Sequence, residues 1–143
     1  MQPLLTRAPT QEEIQQLIAF LPILYAQGFV SIEKREGGKE ADGTITFPYP
    51  KYAPQVEEFF IIASREQWCD YDYSPENALY KIESQNFIQS ASLKEVKSML
   101  TFCVRGERFC DGHWGEMIAN GTIRKILERL ITLAAERNDQ SNF

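Results

Sequence analysis

The chain has 143 residues, 43% of them apolar and 24% charged, with a net charge of −5 at pH 7. That length fits one domain able to bury its own core, and that balance excludes both a disordered chain and a membrane protein. No segment carries the basic excess that nucleic-acid phosphates or anionic lipid require, since even residues 92–143 hold only 8 basic side chains against 7 acidic ones.

The start, MQPLLTRAPTQEE, has acids close behind it and no apolar core segment, so no signal peptide is expected. Thr10 and Glu13 have the spacing of a capping box, and Ile14, Leu17, Ile18 and Leu21 follow at helical intervals. The apolar run LIAFLPILYA is far shorter than the roughly 20 residues of a membrane span. Pro22 interrupts it, ending or kinking the helix before a possible second turn through Ile23 and Leu24. Gly28 stops it. Short β-prone runs at 29–32 and 44–47 flank a charged, glycine-containing stretch, which predicts a marginal hairpin with a mobile tip over 33–43. The prolines of FPYP are expected to shape a loop.

Pro54 opens a helix whose Val56, Phe59, Phe60 and Ala63 share a face. Ser74, Pro75 and Glu76 look like another helix start. The clearest helix is capped by Ser92 with Glu95 at the box position, and it carries Leu93, Val96, Leu100, Cys103 and Val104 on one side up to Gly106. A short helix over 111–120 is closed by Gly121. A last helix over 122–137 holds Ile123, Ile126, Leu127, Leu130, Ile131 and Ala134 in register, with 138–143 as a frayed tail. These elements predict a mainly α, compact single domain over 1–143, with about five helices and a small β-hairpin. In its core the 92–104 and 122–137 helices pack against those at 10–27 and 54–65.

Candidate chemistry concentrates in RGERFCDGHW, residues 105–114, which holds the chain's single histidine. One reading makes it a helix corner. Gly106 then supplies a positive φ, Asp111 caps the next helix, Arg105 and Arg108 sit at the negative end of a helix dipole, and Phe109 and Trp114 are buried. A second reading makes Arg105 and Arg108 a clamp for a carboxylate or phosphate, with His113 as an acid/base oriented by Asp111 or Glu107. A third brings Cys103, Cys110 and His113 together as zinc ligands, with Cys69 or an aspartate as the fourth. No two cysteines have the spacing of a zinc knuckle, so no metal and no cofactor are expected.

The stretch WCDYDYSPE offers Trp68, Tyr71 and Tyr73 either as packed aromatics with polar tips or as a partner-binding surface, while Asp70, Asp72 and Glu76 are too few for a calcium loop. Three cysteines, an odd number, give no disulfide framework and point to the cytosol.

The segment MLTFCVRGERFCDGHWGEMIANGTIRKILERL resembles a bacterial family of small standalone proteins catalogued only as a domain of unknown function. Its core is arginine-x-x-arginine-phenylalanine-x-x-glycine, here Arg105, Arg108, Phe109 and Gly112, followed by an amphipathic helix from Gly121. PYPKYAPQVEEFF and DYDY are similar too, so the likeness covers about 45–131. It implies a standalone domain and carries no activity, substrate or cofactor. The function expected is non-catalytic binding of a protein or a small anionic ligand, at a surface joining Arg105, Arg108 and Trp114 to Trp68, Tyr71 and Tyr73. The rival is a small enzyme using His113, with Arg105 and Arg108 holding an anionic substrate. Oligomeric state stays open.

Overall fold

The computed structural model describes residues 7–39, 43, 45–84 and 86–141, with side chains throughout except at 34–39, 45–49 and 138–141. Two capping boxes set where two of the helices begin. At α1 (Gln11–Ile18), Thr10 Oγ1 accepts from the Glu13 amide at 3.1 Å and Glu13 Oε1 accepts from the Thr10 amide at 2.8 Å. Arg7 closes on the same carboxylate through both terminal guanidinium nitrogens, at 2.7 and 2.6 Å. Ser92 and Glu95 repeat the box at α5 (Leu93–Arg105). Both sites answer a local problem, the unpaired amides of a first helical turn, with residues three apart.

Between them the chain forms α2 (Leu21–Leu24), with Pro22 in its first turn, then an antiparallel hairpin of β1 (Ile32–Lys39) and β2 (Ile45–Tyr52). Next come α3 (Pro54–Ala63), a 3₁₀ turn at Glu66–Trp68, α4 (Pro75–Glu83) with Ser74 as its cap, and a second 3₁₀ turn at Ile88–Ser90. After α5 and a 3₁₀ turn at Gly106–Arg108 come α6 (His113–Ala119) and α7 (Thr122–Ser141).

The core lies where the periodicity puts it. α5 packs on α3, α6 and α7, and α1 on α3 and α7. Ile14, Leu17, Val56, Phe59, Phe60, Val96, Leu100, Cys103, Ile123, Ile126, Leu127 and Leu130 are all but completely buried there. Tyr25 ties α6 to α7. Its hydroxyl donates to Ile118 O at 2.8 Å and accepts from the Arg124 amide at 3.0 Å, while Asn120 Oδ1 accepts from the Thr122 amide in the same first turn of α7. Burial pushes its phenol up to about 12, so it remains a donor at any ordinary pH.

Four expectations need correcting. The hairpin is longer than the β-prone runs, because ladder pairing carries the charged stretch as far as Lys39 on one strand and begins at Ile45 on the other. Residues 40–42 of the expected tip, and residue 44 of the second β-prone run, lie outside the described residues. FPYP is not a loop but part of β2, which a two-stranded sheet permits because both strands are edges. Ile131 is 44% exposed rather than in the apolar stripe, and α7 extends to Ser141, past the expected end at 137.

Thr10→Ala and Ser92→Ala should each cost about 1 kcal/mol, a fall of roughly 3–5 °C in the unfolding midpoint followed by circular dichroism. The Glu13 carboxyl is held at about 2, first by the Arg7 hydrogen bond and then by the Thr10 amide. A lowered carboxyl pKa stabilises the fold above the ordinary value of 4.5, and that contribution is lost as pH falls toward 2. Thermal scans across this window should therefore fall more steeply for the parent than for Glu13→Gln.

Candidate functional site

The 105–114 corner is built by contacts that its sequence does not announce. α5 ends at Arg105, yet Gly106 keeps a right-handed backbone, φ −60° and ψ −26°. The positive φ falls instead at Gly112, at +91°. Gly106 is glycine for another reason: a Cβ there would lie 2.6 Å from the His113 Cε1 and closer still to Cδ2 and Nε2. Asp111 is exposed and does not cap α6. Glu107 does that from outside the helix, accepting from the Gly112 amide at 2.9 Å and the Trp114 amide at 2.8 Å. The Tyr52 hydroxyl donates to the same carboxylate at 2.8 Å.

His113 is packed into this corner. Its ring meets Phe102 edge-on at 5.2 Å, and its Nε2 is buried without a hydrogen-bond partner. Burial holds its pKa below the ordinary 6.5, against a backbone hydrogen bond with Phe102 and the charges of Glu107 and Glu116. The imidazole is therefore neutral at pH 7. Trp114 stacks on Phe60 at 4.5 Å and 5°, and its indole N–H donates to Val104 O at 2.9 Å. Phe109 departs from the expected burial, at 86% exposed.

Arg105 and Arg108 face a different place. With Ser64, Cys69, Tyr71 and Thr101 they line a cleft of about 130 Å³ between the end of α3 and the end of α5. The Arg105 guanidinium lies over the rings of Tyr73, at 5.1 Å, and Tyr71, at 6.0 Å, and its Nη2 donates to Cys69 Sγ at 3.4 Å. Neither arginine forms an ion pair with a carboxylate among the described residues. The aromatic segment is pinned to α5 by Thr101, whose Oγ1 accepts from the Asp70 amide at 2.9 Å, and by Ser98, which hydrogen-bonds the Asp70 carboxylate.

The structure thus places Arg105, Arg108, Tyr71 and Tyr73 together and leaves out Trp68, His113 and Trp114, the last of which stacks on Phe60. Trp68 is 0% exposed, turned into the core by its 3₁₀ turn, and cannot meet a ligand. His113, with Cys110 and Asp111, lines a separate open hollow of about 510 Å³ beside α6, and Glu107 is spent on the cap. Cys103 lies in the core and Cys110 on the surface. No group of three or more histidine, cysteine or acidic side chains converges as metal ligands among the described residues. Ser64, Cys69 and Thr101 were not singled out as cleft residues, because only tertiary packing brings them to the arginines.

The model of a family of unknown function, DUF6508, matches residues 9–136. The chain belongs to that family. The match runs through α1 and the hairpin, beyond the 45–131 of the resemblance. No curated protein and no solved structure matches the chain. No described helix of this DUF6508 chain is long and apolar enough to cross a membrane.

Gly106→Ala should destabilise the DUF6508 fold by about 1–3 kcal/mol, an overpacking cost. Adding His113→Ala should recover part of it, so a double-mutant cycle by urea denaturation should show non-additivity. Arg108→Ala, at an exposed and unpaired site, should shift the midpoint by less than roughly 2 °C. The single imidazole should titrate below 6.5 by proton NMR. A depressed histidine pKa makes the unfolded chain the better proton binder, so this contribution is present above 6.5 and lost as pH falls through the folded value.

Proposed function

We propose that this chain is a cytosolic binding domain, not an enzyme, and that the cleft of Arg105, Arg108 and Tyr71 takes a small anionic group. One observation carries the reading: two guanidinium groups in a chain of net charge −5 line one cleft, and neither has a carboxylate partner among the described residues. With Nη2 on Cys69 and its face on Tyr73, Arg105 is oriented before any ligand arrives, which lowers the ordering cost of binding. A volume of about 130 Å³ holds on the order of four waters, the size of one carboxylate or phosphate and not of a whole cofactor. The cytosolic assignment rests on three free thiols, one of them exposed.

The enzyme reading has less support. His113 and the arginines line different hollows, and the imidazole edge that would exchange protons is packed against Gly106.

Titration with inorganic phosphate and with glutarate, followed by amide NMR, should give saturable shifts around Tyr71 and Arg105. Arg105→Lys, which keeps the charge and loses the fork, should weaken binding roughly tenfold with the midpoint unchanged. Shifts that are absent for both anions, or that survive Arg105→Ala, would overturn the proposal.

A further inference from the structure

Phe109 is the most exposed large apolar side chain among the described residues, at 86%. It stands on a ridge. Arg108 before it lines the arginine cleft, and Cys110 after it lines the hollow beside α6. That hollow shares Ile32, Gly115 and Ala119 with a second, mainly apolar groove of about 540 Å³, which runs on past Phe29, Val30 and Ile118. The two make one trough. Its floor is low because Gly115 and Ala119, one helical turn apart, have little or no side chain.

We infer that this trough is covered by a second copy of the chain, each copy seating its Phe109 in the trough of the other. A two-fold contact must be self-complementary, and knob and trough are immediate neighbours on one surface, so both can engage at a single axis. Charge favours the same occupant. Arg108 lies on one side of Phe109, while Asp111 and Glu116 line the trough on the other, all three exposed. A two-fold rotation through the turn sets Arg108 opposite Asp111 and Glu116 of the partner subunit, bringing opposite signs together twice. Each ring removed from water adds aromatic burial at the centre of the contact, where binding energy concentrates. Val30, on the trough wall, is itself 62% exposed and gains cover too. The inference goes beyond anion binding and stands without it, since Arg105 stays in its cleft on Tyr73.

Sedimentation velocity of the full chain across the micromolar range tests it. The parent should pass reversibly from one chain to two. Phe109→Ala, too exposed to disturb the fold, should weaken association on the order of 30-fold. Asp111→Lys should weaken it also, and the swap Arg108→Glu with Asp111→Lys should restore it. A parent that stays monomeric, one that grows beyond a dimer, or a Phe109→Ala protein that associates like the parent would overturn the inference. A swap that fails to restore association would overturn the pairing across the axis. Arg105→Ala, which removes the cleft guanidinium on Tyr73 and takes no part in the contact, should associate like the parent while losing the phosphate shifts, which keeps this result separate from the fate of the cleft.

Discussion

The Glu107 carboxylate is the fixed point of the corner. It accepts from Tyr52 at the end of β2 and from the Gly112 and Trp114 amides at the start of α6, so the hairpin and two successive helices meet on one side chain. α6 has no side-chain cap of its own, because its N-cap is the left-handed Gly112. The carboxylate supplies the missing acceptor and places negative charge at the positive end of the helix dipole. Burial pushes the Tyr52 phenol well above its ordinary range, with the Glu107 bond next in effect, so this donor keeps its proton. The same hydroxyl accepts from the Gly115 amide at 3.3 Å, and the hairpin is held to α6 at two depths.

A corner held this way leaves little freedom to the residues inside it. The imidazole of His113 fills the space a side chain at Gly106 would take, and its contact with Phe102 fixes the start of α6 against the last turn of α5. A histidine used as packing gains from being neutral, and burial keeps it so. On the outer side of α5 the residue before that glycine, Arg105, is directed to the aromatic segment and lies over Tyr73. The same few residues therefore separate the proton-bearing ring from the guanidinium groups.

What the sequence made legible was local. Both capping boxes, the Ser74 cap, the proline in α2 and the left-handed Gly121 are decided by residues a few positions apart, and all occur. The apolar faces of α1, α3, α5 and α7 followed from helical spacing for the same reason, with Ile131 the exception. The misreadings share a different cause. Gly106 sits at a helix end, where glycine often turns left, but it is needed for a contact made seven residues later. Asp111 has the residue type of a cap, yet the acceptor comes from Glu107 on the far side of the turn. Trp68 stands among acids and tyrosines that look like surface, and one 3₁₀ turn rotates it inward. In the cleft, Arg105, Arg108 and the tyrosines were legible as types, while Ser64, Cys69 and Thr101 join them only through packing.

The distribution of ion pairs bears on why the arginines are there. Ion pairs are few among the described residues, although the chain has 20 acidic side chains against 15 basic ones. Arg7 pairs with Glu13, Lys81 with Glu95 and Arg124 with Glu128. Arg105 and Arg108 have no such partner among the described residues, although Glu107 lies between them in sequence with its oxygens turned the other way. Glu107 is thus directed to backbone amides and a phenol, where it supports the fold, and the positive charge beside it is left uncompensated. Arg108 is exposed, and an exposed charge without a partner adds little to folding stability, whereas Arg105 is held by Cys69 and Tyr73. The two guanidinium groups facing one small cleft are the feature on which the proposed anion binding rests, and the neutral, packed His113 belongs with Glu107 to the scaffold of the corner beside them.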